Sequence, residues 1–157
     1  MKAEAGGQIS EIGCQMSEIG EQRTGDGKVM MNKQINRSQD LEAYKVAYKL
    51  AMEIFRASKG WPAEERYSLT DQIRRSSRSV CANLSESWSK RRYIAHFTSK
   101  LTDADGENLE TQTWLNFAHD CGYLDDSAFD NLLHGSEEVG RLLGGILAKP
   151  DTFCLKA

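Results

Sequence analysis

The chain holds 157 residues, 39% apolar and 27% charged, with 20 Lys or Arg against 23 Asp or Glu for a net charge of −3. That is one domain's worth of chain with room for one core, in the composition range of an ordinary globular protein. It excludes a transmembrane helix, since no apolar run approaches the ~20 residues that cross a bilayer. No basic-then-apolar secretion signal opens the chain.

Residues 1–36 are expected to form a disordered or loosely held tail. They are rich in glycine, poor in large apolar side chains, and carry the near-duplicates "QISEIG" and "QMSEIG". Within "VMMNKQ", Met30 and Met31 offer alternative start positions, so this tail reads either as native chain or as upstream sequence.

Beyond it the pattern is helical throughout, with no convincing alternation at period two. Pro62 and Pro150 are the only prolines, and each stands where a helix should stop. A first helix is expected from about Gln39 to Ser58, with Leu41, Tyr44, Tyr48, Ala51 and Phe55 on its buried stripe. Gly60 and Pro62 close it. A second starts after Thr70, taken as its N-cap, and aligns Ile73, Ser77, Val80, Leu84 and Trp88. It must stop near Lys90, because one more turn would place Arg91 on the azimuth of Ile73, in the core. "SKRRY" is therefore a turn. A third helix runs from about Tyr93 to Asp120, with Ile94, Phe97, Leu101, Ala104, Asn108, Thr111, Leu115 and Ala118 spaced as a bundle seam. Gly122 ends it. The fourth follows "DDS" and runs from about Ala128 to Ala148, aligning Phe129, Leu132, Ser136, Val139, Leu143 and Ile146. The glycines of "LLGG" within it are read as permitting close packing. The expected fold is all-α, an antiparallel up-down-up-down four-helix bundle over residues 37–150, with a C-terminal tail at 151–157.

Charge is unevenly placed. Residues 93–157 hold four basic and eleven acidic side chains, whereas "RRSSRSVCANLSESWSKRRY", Arg74 to Tyr93, holds six basic residues and one acid, Glu86. Such polarity suits a polyanion-binding face or complementarity between copies of the chain. Arg74, Arg75 and Arg78 project away from Ile73 and Val80, where guanidinium groups can engage phosphates bidentately. Lys90, Arg91 and Arg92 add the basic turn. The competing reading is a solvated, locally paired face: Asp71 stands three and four residues before Arg74 and Arg75, and Glu86 four before Lys90. Trp88 and Tyr93 flank the turn as possible stacking platforms, although Trp88 also sits on the edge of the apolar stripe.

On the third helix, Trp114, Phe117 and Cys121 form a second apolar strip more than 90° from the seam. It either packs against another subunit or covers the chain around Tyr123 and Leu124. Glu107 and Glu110, with Asp103 one turn earlier, lack the Glu-x-x-His of di-iron bundles. They are expected to pair with second-helix arginines or with a neighbouring subunit, so Glu107, Glu110, Trp114 and Phe117 make the candidate oligomer interface. Asn108 and Thr111 read as polar residues that fix helix register. Cys14, Cys81, Cys121 and Cys154 have no C-x-x-C or metal-ligand spacing and read as reduced thiols of a cytoplasmic protein, Cys81 and Cys121 in the core. His96, His119 and His134 have no nucleophile at a telling spacing; His119 beside Asp120 suits a helix C-terminus. No catalytic residue, metal site, cofactor or membrane partner is expected.

The stretches "LTDQIRRSSRSVCANLSESWSKRRY" and "FTSKLTDADGENLETQTWLNFAHDCGYL" carry a resemblance covering roughly Asp40 to Pro150. Their "LT-x-Q-x-RR", "AN-x-x-E", "ETQ" and "GYL" resemble the four-helix bundle proteins encoded in intervening sequences of bacterial 23S rRNA genes, also called S23 ribosomal proteins. The accessory variability determinant (Avd) proteins of diversity-generating retroelements are similar, "EEVGRLLGGILAK" resembling their last helix. Ser89 and Gly106 depart from the pattern, Gly106 standing where a better helix former is typical. The resemblance implies a small cytoplasmic bundle assembled as a homopentameric ring. Its retroelement branch implies binding of a reverse transcriptase and of RNA or DNA through a basic surface; a protein-only scaffold is the alternative.

Overall fold

Terminal N–H and C=O groups of the helices are satisfied in places by side chains and in places by backbone turns in the computed structural model, which describes residues 35–155. Four α-helices follow in order: α1 (Glu42–Ala57), α2 (Leu69–Ser89), α3 (Ile94–Asp120) and α4 (Asp126–Ala148). No strand occurs among the described residues. The expectation of a tail concerns residues that, except for 35 and 36, lie outside them. Asp125 caps α4 by accepting the Ala128 N–H at 2.8 Å. Helix α3 ends in a Schellman turn, in which the Tyr123 N–H reaches the Ala118 carbonyl and the Gly122 N–H reaches that of His119, both at 2.8 Å. Gly122 has φ +74°, the left-handed region that a side chain makes costly.

The start of α2 corrects the sequence reading. Ser68, not Thr70, is the N-cap, and Thr70 is buried in the first turn. The capping group comes from outside the helix: one Glu65 oxygen accepts the Leu69 N–H at 3.2 Å and also the Ser68 hydroxyl. Its other oxygen accepts the Tyr123 hydroxyl at 3.2 Å, tying this corner to the end of α3. The Ser68 contact, followed by the Leu69 N–H, holds the Glu65 carboxyl below its ordinary value.

Each helix packs on its sequence neighbours and α4 returns to α1, which closes a four-helix bundle. The seam of α3 is as expected from Phe97 to Ala118, with Phe97, Leu101, Ala104, Asn108, Thr111, Leu115 and Ala118 all buried, whereas Ile94 is exposed. In α2, Ile73, Ser77, Val80 and Leu84 are buried and Trp88 is half-buried; in α4 the expected stripe is buried except for half-buried Phe129. Helix α1 differs. Its buried face is Ala43, Ala47, Leu50, Ala51 and Ile54, with Leu41 just before it. Tyr48 is exposed, while Tyr44 and Phe55 are half-buried. The alanines let α1 approach its neighbours, and the aromatics lie along its flanks, Tyr44 stacking on Tyr48 at 6.3 Å between centroids.

A polar layer crosses the core. Asn108 Nδ2 donates to the Ser136 carbonyl at 3.0 Å and accepts the Ser136 hydroxyl on Oδ1 at 2.8 Å. The Thr111 and Ser76 hydroxyls lie 2.9 Å apart, and Thr111 bonds the Glu107 carbonyl at 2.9 Å. Both expected register residues are thus paired across helices, α3 to α4 and α3 to α2. Close packing of α4 comes from Gly135 and Gly140, where an added Cβ would lie 3.3 Å from Leu50 and 3.4 Å from Asn108. Gly144 and Gly145, expected to serve that purpose, face open space. After α4, Pro150–Thr152 makes a 3-10 turn, Phe153 stacks on Phe97 at 6.5 Å, and the Leu155 N–H bonds the Arg91 carbonyl at 3.1 Å.

Candidate nucleic-acid interface

Arg74, Arg75 and Arg78 lie in the N-terminal half of α2, and Lys90, Arg91 and Arg92 form the α2–α3 turn. Sixteen residues of helix separate Arg74 from Lys90, roughly 24 Å at 1.5 Å per residue. At physiological salt, exposed charges are screened over about 8 Å. The six residues are therefore two basic clusters at opposite ends of one helix, not a single surface.

At the first cluster, Arg74 Nε donates to the buried Ser58 hydroxyl at 2.7 Å, and Ser58 in turn bonds the Phe55 carbonyl at 3.3 Å. The Phe55 ring faces three cations: Lys59 at 5.0 Å, Arg74 at 5.1 Å and Arg78 at 5.5 Å from its centroid. Sequence reading did not place Phe55, Ser58 and Lys59 in the site, because they come from the end of α1 and the 3-10 turn that follows it. The expected pairing of Asp71 with Arg74 and Arg75 is absent: among the described residues no ion pair joins them. Arg74 has instead taken a partner 16 residues away. Arg75 is exposed beside α3, and its charge partly offsets the upward push that burial and the Glu110 charge give the Glu107 carboxyl.

The second cluster is more heavily committed to its own chain. Lys90 pairs with Glu86 at 2.6 Å, as its spacing implied, and Lys100 joins them, 3.1 Å from Glu86 and 3.0 Å from Asp103. These cations, Lys90 first, hold the Glu86 carboxyl below its ordinary value. Arg91 lies 4.4 Å over the half-buried Trp88 ring and donates from Nη1 to the Trp88 carbonyl at 2.7 Å. Arg92 is exposed and makes no ion pair among the described residues. Tyr93 is exposed beside His96, with 5.6 Å between ring centroids.

The remaining candidates share α3. Trp114 donates from Nε1 to Glu110 at 3.0 Å and lies 5.9 Å from the Phe117 ring. Phe117 is 52% exposed, and Trp61 packs 5.9 Å from the Tyr123 ring. Leu109, 55% exposed, adds an apolar side chain that the seam pattern gave no reason to single out. Cys81 is buried, and burial pushes its thiol up to about 11. Cys121 is exposed, which corrects its expected core position, and Cys14 lies outside the described residues. His119 bonds Asp126 at 2.8 Å and stacks on Phe129 at 4.4 Å, across the α3–α4 turn. Among the described residues, no three His, Cys, Asp or Glu side chains are grouped to hold a metal ion, and no helix is long and apolar enough to cross a membrane.

The protein-family model described as 23S rRNA-intervening sequence protein matches residues 39–145. Among solved structures, the chain is similar to a protein of unknown function from the S23 ribosomal protein family of Bacteroides thetaiotaomicron VPI-5482. The two share 25% identity and a TM-score of 0.63, over 71% of this chain and 99% of the other. No curated protein matches the chain.

Proposed function

This chain belongs to the 23S rRNA-intervening sequence protein family, and from that premise we propose that it is a non-enzymatic accessory bundle that binds RNA or cDNA through its basic residues. In this reading Arg74, Arg75, Arg78, Lys90, Arg91 and Arg92 meet the phosphate backbone, whose neutralisation releases counterions. The likeness to accessory variability determinant proteins extends the reading to a reverse transcriptase as a protein partner. The observation that carries it is that Arg74, Arg75 and Arg78 make no ion pair among the described residues although Asp71 stands one turn away. Cations that form no ion pair with the acids of their own chain favour an external anion.

A second reading, a protein-only scaffold, draws on α3. Exposed Phe117 and half-buried Trp114 sit beside Glu107 and Glu110, an apolar strip with an acidic margin that suits a homo-oligomer, a pentameric ring being the form the family resemblance implies. Both readings meet in one experiment: replace Arg74, Arg75 and Arg78 together by Gln, then measure RNA affinity and particle mass by light scattering. Loss of RNA binding at unchanged mass supports the accessory role. Loss of mass shows that the arginines face protein, and the scaffold reading then replaces it.

A further inference from the structure

The two basic clusters differ in what their own chain has already done with them. At the turn, Lys90 is held by Glu86 at 2.6 Å and Arg91 is bonded to the Trp88 carbonyl, so Arg92 alone of the three is uncommitted among the described residues. At the α1–α2 corner, Lys59, Arg74 and Arg78 surround one aromatic ring and none makes an ion pair among the described residues. From this contrast, and resting on the nucleic-acid reading above, we propose that the phosphate-binding site is the Phe55 corner, with Lys59, Arg74 and Arg78 as its cations and the turn contributing little.

The corner is organised before any ligand arrives. Ser58 is buried and fixes Arg74 through Nε, which leaves both Nη groups without a hydrogen-bond partner among the described residues. Those Nη groups are the edge that grips an oxyanion bidentately. Arg78 stands one helical turn further along the same side of α2, so the two guanidiniums are neighbours. Lys59 enters from the 3-10 turn after α1 and lies 5.0 Å from the ring centroid. The ring quadrupole gathers all three cations on one apolar platform.

Simple packing leaves a charge unexplained. The C-terminus of α1 supplies a partial charge of only about −0.5, against three full positive charges. Solvent screens the mutual repulsion among the cations, and a bridging anion would relieve the remainder. A phosphodiester backbone provides successive singly charged oxyanions, which suits cations spread around a ring, and the half-buried Phe55 offers an edge against which a base or ribose can rest.

The test compares three variants with the wild-type full-length chain: Lys59→Gln/Arg78→Gln, Phe55→Leu, and Arg91→Gln/Arg92→Gln. Each is titrated against a fluorescent single-stranded RNA at several salt concentrations from about 50 to 200 mM, with circular dichroism confirming helix content and light scattering the mass. The corner double variant is expected to bind roughly tenfold more weakly or worse, and its salt slope should fall by about 1.4 for two lost phosphate contacts. Phe55→Leu keeps every charge, so it should weaken binding about two- to fivefold with the slope unchanged. The turn variant should bind nearly as wild type. If the corner double variant binds like wild type while the turn variant loses affinity, the corner assignment is overturned and the nucleic-acid reading stands. If the wild-type chain binds no RNA, both fall. A drop in mass for the corner variant at unchanged RNA affinity also overturns it, by showing that these cations answer to a neighbouring copy.

Discussion

The reciprocal pair between Asn108 and Ser136 offers the sharpest energetic prediction. Asn108 is 1% exposed and Ser136 0%, so neither side chain can turn to water when its partner is removed. Ser136→Ala deletes the hydroxyl that donates to Asn108 Oδ1 and leaves that oxygen buried without a donor. An orphaned buried acceptor costs about 1–3 kcal/mol. For a domain of this size that lowers Tm by about 3–6 °C per kcal/mol. Asn108→Leu is milder, because a helical serine can turn its hydroxyl to a carbonyl one turn back. Combining Asn108→Leu with Ser136→Ala removes both polar partners, so no buried donor or acceptor of this pair is left without a partner. The double variant should therefore recover to within about 1 kcal/mol of wild type or exceed it. Urea and thermal unfolding followed by circular dichroism measure all four proteins, and the cycle should show a coupling of about 1–2 kcal/mol. A neutral Ser136→Ala, or a double variant whose loss equals the sum of the singles, would refute the reasoning.

Further outcomes follow from single residues. Gly106 lies exposed in the middle of α3 with open space where a Cβ would go, so Gly106→Ala should raise stability by about 1 kcal/mol. Gly122→Ala, at φ +74°, should lower it by about 1–2 kcal/mol, both read from denaturation midpoints. Cys81, whose thiol is pushed up to about 11, should resist alkylation at about pH 8 while exposed Cys121 reacts, as peptide mass mapping would show. Equal labelling of the two thiols in folded protein would contradict this placement. The Glu65 carboxyl is held below its ordinary value of 4.5, so the stability it lends α2 is complete above that value. It is lost as pH falls through the lowered folded value, because protonation removes the acceptor of the Leu69 N–H. Replacing Glu65 with Gln should flatten the acid limb of a Tm-against-pH curve; an unchanged limb would show that other carboxylates govern it.

What the sequence disclosed depended on how local the determinants are. The α3 seam was readable because Phe97 through Ala118 repeat at the period that any bundle core imposes, and its end was readable because Gly122 is the residue a left-handed cap favours. The α1 face was misread because size stood in for burial. Tyr44, Tyr48 and Phe55 make a tempting stripe, yet close helix approach selects Ala43, Ala47 and Ala51, and the rings fall to the sides. The cap of α2 was hidden because Glu65 lies in a 3-10 segment before the helix and is itself held by Tyr123 from the other side of the bundle. The candidate site was legible in part for the same reason. Its arginines lie together in α2, but Phe55 comes from α1 and Ser58 and Lys59 from the turn after it, and only folding brings them to Arg74 and Arg78. Local spacing favoured Asp71 as the partner of Arg74, and the aromatic ring and buried hydroxyl won that competition.

The claim that the basic residues serve a polyanion is tested most directly by the salt dependence of RNA binding by the unmodified protein. Affinity for a structured RNA would be measured at about 50 and 200 mM salt, with particle mass followed in the same samples. Phosphate contacts from both basic clusters predict weakening by about a thousandfold over that range, and contacts from the Phe55 corner alone by roughly twenty- to fortyfold. An intact particle that binds no RNA at either salt, or binds it with no salt dependence, would contradict the account and leave the arginines facing protein.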